Sequence, residues 1–155
     1  MKTLLATIPV FLCGVVLLNA GETATDLERM QGTWLVVSLT ELGKPVPAED
    51  IDILEFSFDK DVLTVTEKGK IAVQYQLKLD SEKTPRAIDF THQIGENKGK
   101  TEPGIYAFDG DKLKLCLDEK RKGRPTVFEG KESETFSVIV LKKKAVEEKK
   151  TTEEK

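Results

Sequence analysis

Apolar and polar residues alternate along most of this chain with a period of two. The clearest run is Lys70–Leu79, where Ile71, Val73, Tyr75, Leu77 and Leu79 oppose Ala72, Gln74, Gln76 and Lys78. That is the pattern of a strand with one face to a core and one to water. The same reading places strands over Thr33–Glu41, Ile51–Phe58, Val62–Thr66, Arg86–Thr91, Gly104–Phe108, Lys112–Leu117 and Glu134–Lys142. One short helix precedes them. Thr25-Asp26-Leu27-Glu28 has the spacing of a capping box, and the helix it opens runs through Met30 until Gly32 stops it.

The turns between these strands alternate in length. Asp59-Lys60, Asp80–Thr84 and Asp109-Gly110 are short, and Asp-Gly between alternating runs is a strong hairpin signal. The connections Gly43–Asp50, His92–Pro103 and Asp118–Lys131 are long, with Lys68-Gly69 the exception on their side. Eight hairpin-linked strands predict an all-β fold, an eight-stranded antiparallel up-and-down barrel with a short N-terminal helix. The tight turns and the helix then share one end, and the long loops ring the other.

Composition changes this picture at the two termini. Lys2, an apolar run from Leu4 to Leu18 and a small residue at Ala20 have the layout of a secretory signal peptide over residues 1–20. The run is shorter than the roughly 20 residues that span a bilayer, so cleavage without lasting membrane insertion is expected, and a periplasmic or extracellular protein with it. Bulky Leu12 argues against lipidation of Cys13. Removal of the leader leaves Cys116 as the sole cysteine, so the barrel over residues 21–142 must hold without an internal disulfide. Residues 143–155 are almost wholly charged beyond Val146 and read as a solvated, disordered tail. The formal net charge of −3 becomes −4 without Lys2, which argues against a general nucleic-acid binder.

Few residues offer chemistry. Gly95–Thr101 reads GENKGKT and ends like a phosphate-binding loop, but three residues separate its glycines where four are required. The Glu102-Pro103-Gly104 that follows is turn chemistry, not the start of a helix, so the segment reads as a rim loop. His92, the only histidine, shares a face with Phe90 while Asp89 points away, which separates the nearest His–Asp couple. It reads as a loop-edge residue or a rim contact to a ligand. Cys116 lies on the face shared with Lys112, Lys114 and Asp118 and reads as a structural thiol, lacking an activating base. One His and one Cys do not make a zinc set, and Asp109-x-Asp111 lacks the further oxygens of a calcium loop. No catalytic constellation, metal site or cofactor site is predicted.

Gly32-Thr33-Trp34 at the head of the first strand, after a short helix, is the G-x-W of lipocalins and their relatives. With QGTWLVVS, GKPVP, GENKGKT, GIYAFDGDKLKLC, RPTVFE and VIVLK, the stretch from Leu27 to Leu141 resembles a lipocalin-like domain family of secreted planctomycete proteins. The resemblance implies the barrel fold and no particular activity. It also implies that Trp34 closes the base beneath a basic residue from the last strand, here Lys142.

Two functions follow, and the sequence leaves both open. One is a carrier of a small apolar or amphiphilic ligand held by Phe56, Tyr75, Phe90 and Phe136. The other is a structural or interaction module whose bulky side chains fill the interior, with no protein partner specified. For the carrier, the loop end holds ten Lys and Arg against nine acidic residues, and the tight-turn end three against six. A slightly positive mouth above an apolar interior suits an anionic amphiphile entering past Lys98, Lys100 and Lys120–Arg124.

Overall fold

The computed structural model describes residues 21–129 and 136–145. The expected signal peptide and most of the expected tail lie outside the described residues. The elements are α1 (Gly21–Met30), β1 (Gly32–Glu41), β2 (Lys44–Pro45), α2 (Ala48–Ile51), β3 (Leu54–Asp59) and β4 (Val62–Glu67). They continue with β5 (Lys70–Asp80), β6 (Ala87–His92), β7 (Thr101–Asp109), β8 (Lys112–Asp118) and β9 (Phe136–Lys143).

Strands β1 and β3 to β9 pair in chain order, each antiparallel to its neighbour, and β9 returns to pair with β1. The result is a closed eight-stranded antiparallel barrel, with β2 a two-residue flap on the far end of β1. Closure leaves the eight strands without an unpaired edge. Among the described residues no helix is long and apolar enough to cross a membrane.

Two β-bulges decide which residues face inward. In β1, Val36 pairs with Leu141 and Ser38 with Val140, so Val37 is an extra residue. Trp34 and Val36 point inward before it, and Leu39 and Glu41 after it. In β5, Val73 pairs with Val65 but Ile71 with Thr66, so Ala72 is extra. The inserted residue reverses the alternation beyond it. Ile71, which strict alternation places in the core, is 59% exposed for this reason.

The base is tightly packed. Trp34 is 2% exposed, its indole Nε1 donates to Met30 O at 2.6 Å, and its ring meets Phe58 edge-on. The cation over this ring is Lys143, with Nζ 5.5 Å from the centroid. Lys142, expected in that role, is instead exposed and paired with Asp111 at 3.6 Å. The correction is one of register, since Trp34 stands opposite Lys143 and β9 runs one residue further than the sequence reading allowed. Gly32, with φ +100°, makes the turn from α1 into β1 that a side chain would resist.

Helix α1 starts before the expected capping box, so Thr25 lies within it. The helix is pinned across the base by Asp26, which is buried. Its carboxylate accepts from Arg86 Nη1 at 2.9 and 3.2 Å and from the Tyr106 hydroxyl at 2.7 Å. Just past the helix, Gln31 exchanges two hydrogen bonds with the backbone of Lys60 in the β3–β4 turn.

Candidate functional site

Toward the loop-bearing end the barrel interior opens into a cavity of about 270 Å³. Its walls include Phe56, Leu63, Val65, Val73, Phe90 and Leu115. These side chains come from β3, β4, β5, β6 and β8, each placed inward by the two-residue period. The base-side half is filled instead, by Trp34, Phe58, Tyr106, Leu113 and Leu141.

The polar groups of the cavity gather at its open end. Tyr75 and His92 stand opposite each other on β5 and β6, their rings 4.6 Å apart. Glu102 on β7 faces inward opposite Phe90 and is 5% exposed. His92 Nε2 lies 2.7 Å from Glu102 Oε1, Arg121 Nη2 donates to the same oxygen at 2.9 Å, and the Tyr75 hydroxyl reaches Oε2 at 3.5 Å. Glu102 is therefore matched by a guanidinium and an imidazole. Burial, and after it the Glu102 charge, raises the Tyr75 phenol well above its ordinary pKa.

Beside them, Glu41 at the end of β1 and Glu119 just past β8 have no ion pair among the described residues. Glu41 on β1 and Ser137 on β9 stand opposite each other, and Ser137 Oγ donates to Glu119 Oε1. Burial raises the Glu119 carboxyl above the usual carboxylate range; the Ser137 bond pulls it down, and the charges of Glu41, Glu102 and Asp118 push it up. Glu41, Glu102, Glu119, Tyr75 and Ser137 line the cavity together.

The loop after β8 is tied to the barrel wall. Asp118, fully buried, accepts from the backbone N–H of Lys120 at 3.0 Å and of Gly123 at 2.7 Å. Arg124 donates to Ile88 O, Gly104 O and Asp89 Oδ1 at 2.9, 2.6 and 2.6 Å. Gly104 is needed there, because a Cβ would lie 2.7 Å from Cys116 O and 2.9 Å from the Phe90 ring. Between these ties Arg121 adopts φ +55° and reaches in to Glu102. Its Nε is buried with no hydrogen-bond partner among the described residues. A strained backbone and an unmet donor are costs that the Glu102 contact has to offset.

Of the residues expected at a ligand site, Phe56, Tyr75 and Phe90 line the cavity. Phe136 does not: Ser137 and Ile139 face inward, so Phe136 falls on the outer face of β9. Lys98 and Lys100 are exposed in the β6–β7 loop and not part of the lining; Lys100 Nζ bonds Asn97. That loop folds on itself, with Gly99 N and His92 N bonded to His92 O and Lys100 O, so GENKGKT is a closed turn. His92, read as a loop-edge residue, ends β6 and is buried, because Glu102 gives it a partner that the sequence reading had assigned to a turn. Glu41 was missed because the bulge at Val37 reverses its face.

Cys116 is fully buried beside Ile105, on the side of β8 away from the cavity, and burial pushes its thiol up to about 11. Among the described residues, no group of three or more His, Cys, Asp or Glu side chains is placed to hold a metal ion. Compared with protein-family models, curated proteins and solved structures, the chain matches none of them.

Proposed function

We propose that this chain is an exported, lipocalin-like carrier whose barrel holds one small apolar or amphiphilic molecule. The observation that carries this reading is the cavity: an apolar pit of about 270 Å³ with a few polar groups at its open end. That is the construction of a small-molecule site, in which apolar walls supply affinity and a few polar groups set orientation. The volume lies just under the ~300 Å³ floor of drug-sized pockets. At ~30 Å³ per water-sized unit, it takes a ligand of about ten non-hydrogen atoms, not a long fatty acid.

Titration calorimetry with 1-octanol tests the reading. Saturable one-site binding is expected, and Val73→Phe should abolish it by filling the pit from a wall position that is only partly buried. No heat of binding up to the solubility limit of octanol would instead favour the module with a filled interior. Packing of the base-side half by Trp34, Phe58 and Tyr106 is the observation on that side.

A further inference from the structure

We infer that the cavity selects a compact amine: a ligand with a protonated nitrogen at the mouth and a tail of about eight carbons below. The inference rests on the carrier reading and adds the charge of the head group. Loop charge counts pointed to an anion, but among the described residues none of the Lys and Arg counted there lines the cavity, and Arg121, which reaches its wall, is paired with Glu102. Among the described residues, the cavity wall contains three carboxylates, Glu41, Glu102 and Glu119, and no Lys or Arg.

These carboxylates are not equivalent. Glu102 already has Arg121 at 2.9 Å and His92 at 2.7 Å. Glu41 and Glu119 have no ion pair among the described residues, and the charges acting on Glu119 come from Glu41, Glu102 and Asp118. Lys44 and Lys120 line an open cleft that shares Glu41 with the cavity, and both face water; Arg121 is committed to Glu102. Two unmatched carboxylates, flanked by the Ser137 hydroxyl at the top of an apolar pit, repel an anionic head. They leave a neutral head without electrostatic gain. An ammonium is attracted, most by half-buried Glu119 and less by Glu41, which is exposed to water. Its N–H groups have acceptors waiting in Glu41 and Glu119, while its tail meets Phe56, Leu63, Val65 and Leu115.

The test compares octylamine, 1-octanol and octanoate by calorimetry at one neutral pH and low salt. These probes share a chain and differ only in the head. Octylamine should bind at least about tenfold more tightly than octanol, and octanoate more weakly than either. The double variant Glu41→Gln, Glu119→Gln should bring octylamine to within about threefold of octanol. Cooperative unfolding of the variant in urea separates loss of the head-group site from loss of fold. Equal or tighter binding of octanol or octanoate in the parent protein would overturn the amine inference and leave the carrier standing. Failure of all three probes would remove both.

Discussion

Glu119 carries both the charge of the mouth and its response to pH. Because burial holds its carboxyl above the usual range, the folded state binds that proton more tightly than the unfolded chain does. Its contribution to stability is therefore most favourable below the ordinary carboxylate pKa, and declines as pH rises from there through the raised folded value. Glu119→Gln should accordingly gain stability relative to the parent as pH rises from about pH 4 to neutrality, read from paired urea melts. A difference that stays constant across that range would show the carboxyl to be unperturbed. At this scale the sequence was only half legible. Phe56, Tyr75 and Phe90 are visible as inward positions from alternation alone. Glu119 obeys the same alternation, two residues beyond inward-facing Leu117 and just past the end of β8. Glu41 could not, because nothing in Trp34–Glu41 announces that Val37 is the bulged residue.

Strands repeat a signal every second residue, so an error of one or two positions at an end leaves the element intact, and this is why all eight barrel strands were legible. The losses are short or contradictory stretches. β2 spans two residues inside the expected Gly43–Asp50 loop, and α2 spans four from that loop into Ile51, which was expected to open the next strand. Thr101–Pro103 belongs to β7 although Glu102-Pro103-Gly104 has turn composition, and pairing with Thr91–Asp89 overrides that local preference. Helix α1 was expected but not its anchorage, since Asp26 and Tyr106 are 80 residues apart. The Tyr106→Phe variant removes one hydrogen bond to this carboxylate and leaves both from Arg86. A loss of about 1.5–3 kcal/mol in denaturant unfolding is expected, nearer the lower figure because Arg86 remains. Faster amide exchange should accompany it in Asp26–Met30. A loss below about 0.5 kcal/mol would mean that the Tyr106 hydroxyl adds little to the hold that Arg86 and packing already have on α1.

Taken whole, the molecule is a barrel with one end sealed by side chains and the other fastened by arginines. Arg124 holds the Asp118–Glu129 loop against β6 and β7 through three acceptors, and Arg121 extends from that loop to Glu102. The Arg124→Ala variant should raise hydrogen exchange in Lys120–Phe128 while the strands keep their protection, because the loop opens without unfolding the barrel. Equal acceleration in β8 and β9 would make the loop part of the core. The chain carries one tryptophan and two tyrosines, and the architecture separates them. Trp34 and Tyr106 sit in the sealed half, whereas Tyr75 lines the cavity. Emission selected for the indole is thus a gauge of the base alone: it reports the integrity of the fold and should be blind to what occupies the mouth. Tyr75 absorbance is the complementary gauge, so the protein contains its own control for distinguishing a ligand that binds from one that denatures.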